Sequence, residues 1–169
     1  MATNISLNQF APNNPTAGLF CYMANLPQLH NIIVSSNQET PLYSGAVVTL
    51  DPAATNPHAS EVLQAKVTDT IYGVISYNPI GNQFGFVEGG YTTSDRVSVA
   101  RENDIIFMPA AGAIAEGAKL YFTADNEVTS TATAGNSIVG IATTPAAAKG
   151  DFVKVQLKFE TTEAAGGED

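Results

Sequence analysis

The stretch DFVKVQLKF, residues 151–159, constrains this chain more than any other. Val153, Val155, Leu157 and Phe159 fall on one side of an extended backbone, and Lys154, Gln156 and Lys158 fall on the other. A period of two marks a half-buried antiparallel strand, because successive side chains point to opposite faces of a sheet. Other short runs are rich in Val, Ile, Thr, Tyr and Phe: QAKVTDTIYGVISY, DRVSVAR, DIIFMPA, AKLYFTA and NSIVGIAT. Gly, Pro, Asn and Asp separate them, as turns require. No long stretch holds a helical period between caps, and PAAAKG, 145–150, offers one turn at most. The reading is an all-β fold, a small antiparallel β-barrel or sandwich over residues 41–159.

The β region also repeats itself. SGAVVTLD (44–51) resembles EGAKLYFT (116–123), IYGVIS (71–76) resembles IVGIAT (138–143), and DRVSVAR (95–101) resembles DFVKVQL (151–157). The order is kept while the offset shrinks from 72 to 67 to 56, so the first half carries insertions, the largest between IYGVIS and DRVSVAR. Gly45 and Gly117 suit a positive-φ turn that launches a strand. Gly73 and Gly140 sit inside apolar strands, where glycine marks a bulge, a bend or a close backbone approach. Asp95 and Asp151 open the third strand of each half. Two pseudo-repeated halves would each bury the apolar face of the other; gene duplication and chance likeness of β sequence both remain open.

Residues 1–40 read differently. Pro12, Pro15, Pro27 and Pro41 punctuate them, and only LHNIIVSS, 29–36, has strand character. Phe10, Leu19, Phe20, Tyr22 and Met23 still need a surface to cover, so this segment reads as an extended N-terminal arm lying on its own barrel or on a neighbouring subunit. Residues 160–169 hold Glu160, Glu163, Glu168 and Asp169 without an apolar pattern, and read as a disordered acidic tail.

Composition narrows the function. Charged residues make up 14% of the chain, against about 25% in ordinary soluble domains. The surface is therefore built from Ser, Thr, Asn, Gln and Ala, which suits a protein packed into an assembly. The net charge is −9, and seven scattered Lys and Arg make no basic patch of the kind that holds nucleic acid. No apolar run is long enough to span a bilayer, so no membrane partner is expected. MATNISLNQF lacks a basic start followed by an apolar stretch, so the expectation is synthesis in a cytoplasm. Cys21 is alone and forms no internal disulfide.

Catalytic constellations are missing. His30 and His58 have no Cys or His at metal-ligand spacing. There is no nucleophile elbow and no phosphate-cradling loop ending in Lys-Ser or Lys-Thr. Glu102 and Asp104 flank Asn103 in a polar turn, which a solvated β-turn explains without catalysis. No catalytic residue, cofactor or metal is expected. Phe84, Phe86 and Tyr91, with Tyr72 and Tyr77, cluster around the insertion and are the best aromatic candidates for an exposed contact surface.

From about residue 62 to 159 the chain resembles bacteriophage capsid decoration, or cement, proteins. The likeness runs through IYGVIS, then DRVSVARENDIIFMPAAGAIAEGAKLYFTADNEVTS, then GNSIVGIATTPAAAKGDFVKVQLKF. The resemblance implies a non-enzymatic virion protein on the capsid exterior, made in the host cytoplasm, that binds the major capsid protein and cements contacts between capsomers. It also implies self-association, with a homotrimer favoured over a dimer. Phe10, Leu19, Phe20, Tyr22, Phe84, Phe86 and Tyr91 are then the candidate capsid or subunit contacts. The alternative is a head-fibre or tail-associated protein that binds a host receptor or glycan through residues 77–91.

Overall fold

The computed structural model describes residues 17–18, 20–22, 32–76 and 90–161. These residues form eleven strands and no helix. The first, β1, is Phe20–Tyr22. Then come β2 Ile32–Val34, β3 Val47–Leu50, β4 Ser60–Gln64, β5 Gly73–Ile75 and β6 Val99–Ala100. They are followed by β7 Ile105–Pro109, β8 Lys119–Phe122, β9 Val128–Thr129, β10 Ile138–Ala142 and β11 Phe152–Glu160.

Two sheets run in the orders β2-β4-β3-β5-β6 and β1-β7-β11-β10-β8-β9. Each curls until its ends meet. In the first, the chain entering β6 returns to β2 through an antiparallel bridge between Ile33 and Arg96. The Val34 N–H donates to the Asp95 carbonyl and the Ser94 N–H to the Val34 carbonyl, both at 2.9 Å. In the second, β9 returns to the end of β7 through a parallel bridge between Val128 and Ala110. The result is two small five-stranded barrels, β2–β6 and β7–β11. Each contains one parallel contact, β2 with β4 and β9 with Ala110, among antiparallel ones. The wholly antiparallel sheet expected from the alternation is thus broken once per barrel. A closed ring with an odd number of strands cannot alternate direction all the way round.

The two barrels share one hydrogen-bond plan. Val48 of β3 pairs with Gly73 of β5, and Leu120 of β8 pairs with Gly140 of β10. Val74 pairs with Ala100, and Ile141 with Gln156. The Gly45 N–H donates to the Ile75 carbonyl and the Gly117 N–H to the Ala142 carbonyl, each at 2.8 Å. Both glycines have positive φ, 88° and 80°, as their turns demand. Asp95 accepts from the Thr92 N–H at 2.7 Å, while Asp151 accepts from the Ala147 and Ala148 N–H groups at 2.9 Å. These partners keep the offsets of the repeated phrases, so the likeness in sequence is a likeness in structure at the three strands the phrases cover in each half.

The interiors differ in detail but fill alike. Val34, Val48, Val62, Ile75 and Val97 line the first barrel. Their counterparts in the second are Ala110, Leu120, Val128, Ala142 and Val153. Val48 to Leu120 adds volume, while Val34 to Ala110 and Ile75 to Ala142 remove it, in keeping with the demand that a core be filled without strain.

Strand β2 lies inside the segment whose prolines read as an arm, so the folded unit reaches back to Ile32. Strand β1 pairs antiparallel with β7, Phe20 opposite Ile106 and Tyr22 opposite Ile105. Residues 162–169, most of the expected tail, lie outside the described residues, whereas Glu160 ends β11.

The interior glycines give a direct test. A β-carbon at Gly140 would collide with the Gln156 carbonyl oxygen, and one at Gly73 would lie 2.6 Å from the Ala100 carbonyl oxygen. Gly140→Ala and Gly73→Ala should each destabilise the chain by about 2 kcal/mol or more, as overpacking against backbone does. Gly112→Ala, with open space around the position, should be nearly neutral. Urea unfolding of the three variants measures this; equal midpoints for all three would refute it.

Candidate functional site

The described residues hold no group of three or more His, Cys, Asp or Glu able to bind a metal ion. The acids singled out in the sequence have structural partners. Asp104 is buried, and its carboxylate accepts from the Arg101 N–H at 2.8 Å, closing the turn in which Asn103 takes positive φ. Glu102 accepts from the Phe159 N–H at 3.3 Å. This turn is not simply solvated, as expected; Asp104 is folded inward as its cap. Beside it Arg101 stacks on Tyr72, 3.8 Å from the ring centroid. The His58 N–H is held by the Asn56 side chain at 2.9 Å in an exposed turn.

The most elaborate polar cluster was not legible in the sequence. Asp51, at the end of β3, accepts from the Ser35 hydroxyl, from the Asn37 side chain at 2.7 Å and from the Ala53 N–H at 2.8 Å. It ties the chain after β2 to the chain after β3. No pattern in the sequence announces a contact between residues this far apart.

Of the aromatic candidates, Tyr91 is 8% exposed and belongs to the core cluster of the first barrel. Its backbone is bonded both ways to Leu42, at 2.7 and 2.9 Å. Burial, and then the nearby Asp95 carboxylate, push its phenol above the usual tyrosine range. Phe20 and Tyr22 are placed on β1, whereas Phe10, Leu19, Phe84 and Phe86 lie outside the described residues. The large apolar side chains exposed among the described residues are Tyr43 and Leu50, at 54% and 47%.

One sheet surface stands out by charge. On the outside of β8, β10 and β11 lie Lys119, Ile141, Lys154, Gln156 and Lys158. Gln156 and Lys119 flank Ile141 across the strands. Lys154 leans over the Phe107 ring, 5.8 Å from its centroid. Glu160 pairs with Lys158 at 2.9 Å and with Lys119 at 3.9 Å. The hydrogen bond and charge of Glu160 raise the Lys158 pKa, and Lys158 in turn lowers that of Glu160. The alternation in DFVKVQLKF set two of these lysines on one face, but only the pairing through β10 brings Lys119 beside them.

A sequence profile of phage cement proteins matches residues 44–157, more than half of the chain and spanning both barrels. The chain belongs to the phage cement protein family. No curated protein sequence matches it. As a cement protein it is a structural component of a phage capsid. The matched residues include both launching glycines, both interior glycines and both turn-capping aspartates.

In this cement protein Asp51 should set part of the acid response. The hydroxyl of Ser35, then the Ala53 N–H and the Asn37 amide, hold its carboxyl below the usual aspartate range. A folded pKa below the unfolded one stabilises the fold above the unfolded value of about 3.9, and this is lost as pH falls through the folded pKa. Asp51→Asn should therefore lower the melting temperature at neutral pH and narrow its gap to wild type as the pH drops below about 4. Melting curves across that range check this; a constant gap would refute it.

Proposed function

We propose that this protein binds the outer surface of an assembled phage head and braces contacts between capsomers. The observation that carries the reading is the family match across both barrels. The structure suits the task. Closed rings leave few strand edges free, which favours a defined surface over open-ended pairing. The interior of each barrel is fully buried, with no buried side-chain polar atom left without a partner among the described residues. Such a body resists deformation when its partner is strained.

In this reading the partner is the major capsid protein, and the chain acts as a homo-oligomer, a trimer before a dimer. It is made in the host cytoplasm and carries no enzymatic activity. Phe10, Leu19, Phe20, Tyr22, Phe84 and Phe86 add contact area from the segments before β2 and between β5 and β6. Contact through such segments extends the interface. Tyr91, being buried, supports the contact loop rather than touching the shell.

Quantitative mass spectrometry of purified virions tests the reading. A copy number that is a simple fraction of the major capsid protein is expected, and undecorated heads should burst at lower temperature than decorated ones. A few copies per particle would overturn it in favour of a receptor- or glycan-binding appendage. Removing residues 2–16 should leave the melting temperature within a few degrees, because both barrels and β1 remain, yet weaken head binding about tenfold. Undiminished binding would exclude Phe10 and the rest of residues 2–16 from the contact.

A further inference from the structure

The repeat lets one barrel report on the other. In the first barrel the outer face of β3, β5 and β6 is apolar: Val47, Val74 and Ala100 are each fully buried. The second barrel covers them. The Val47 N–H donates to the Asn126 side chain at 3.0 Å, and Ser137 donates to the Val67 and Asp69 carbonyls, both at 2.7 Å. The two barrels therefore pack head to tail, the face of one against the end of the next.

By register, the counterparts of Val47, Val74 and Ala100 are Lys119, Ile141 and Gln156. These form the open face of the second barrel. Lys119 and Lys158 have side chains 64% and 59% exposed. With Lys154, the face carries three of the seven bases of a chain whose net charge is −9. Glu160 lies on the same face and Glu102 at its rim. The face thus keeps a half-exposed apolar centre at Ile141 inside a local excess of positive charge.

A head-to-tail contact can repeat without end unless something stops it. Here both halves of the contact have changed. The open face carries lysines where the covered one is apolar, and Asn126, whose amide oxygen holds Val47, has Ala54 as its counterpart, with no side-chain acceptor to offer. The contact that joins the two barrels therefore does not repeat at this face.

We propose that the outer face of β8, β10 and β11 is the docking surface for an acidic patch on a different protein. Resting on the cement reading, that protein is the capsid shell. Charge complementarity at such a surface steers encounter and makes binding sensitive to salt.

The test measures binding of the full chain to undecorated heads over a series of salt concentrations. Lys119→Glu/Lys154→Glu/Lys158→Glu should bind about tenfold more weakly at low salt and lose most of the salt dependence. Lys119→Gln/Lys158→Gln, which leaves the half-buried Lys154 in place, should show a smaller loss in the same direction with an unchanged melting temperature. Lys66→Glu, on the other barrel, should bind as wild type does. If wild type decorates heads and the triple variant matches it in affinity and salt slope, the docking face is wrong while the cement reading stands. If wild type decorates no heads, both fall. Loss of self-association with intact head binding would assign the face to a second copy and overturn the proposal.

Discussion

The close approach of backbones at Gly73 and Gly140 is the constraint on which the rest of the structure depends. At Gly140 the neighbouring strand's Gln156 carbonyl occupies the space a side chain would need, and at Gly73 the Ala100 carbonyl does the same. Only a residue without a β-carbon lets the strands come this near and curl this tightly. Tight curling closes a ring of five strands, and closure dictates the remainder. It consumes the strand edges, forces one parallel contact per ring, and turns alternate side chains into a sealed interior of Val, Ile, Leu and Ala.

Two rings of one design need not have one surface. Both keep the launching turns, the interior glycines and the aspartate caps, since those serve closure. The outward residues on the same strands have parted ways. Val47, Val74 and Ala100 became a contact between barrels, and Lys119, Ile141 and Gln156 remained open. The chain thus gains from its two like halves a longer body rather than two equal binding sites. For a cement protein, rigidity over a distance matters more than repetition of a site.

Much of this was legible before the fold was known. The alternation of Val153, Val155 and Leu157 set the face of β11, and the paired glycines at 45 and 117 located turns that do have positive φ. Other features were not. LHNIIVSS did read as a strand, but the prolines around it assigned it to an arm, because its pairing with β4 joins segments about thirty residues apart. The bond from Ser35 to Asp51 joins the turns after two strands that are not neighbours in the sheet, and local propensity says nothing of such meetings. Tyr91 read as an exposed aromatic because a lone tyrosine beside glycines and threonines shows no period; its burial comes from the Leu42 bridge.

The sequence by itself determined the strand character, the turns and the existence of two like halves, since these follow from side-chain period and backbone stereochemistry within a few residues. Tertiary structure alone decided which face of each half is covered. The outer sides of β3 and β8 carry Val47 and Thr49 or Lys119 and Tyr121, and each of these residues is at home on many strands. Burial of Val47 and exposure of Lys119 arise because one barrel's end sits on the other's face. That arrangement lies between residues nearly eighty apart, Val47 and Asn126, beyond the reach of any local signal.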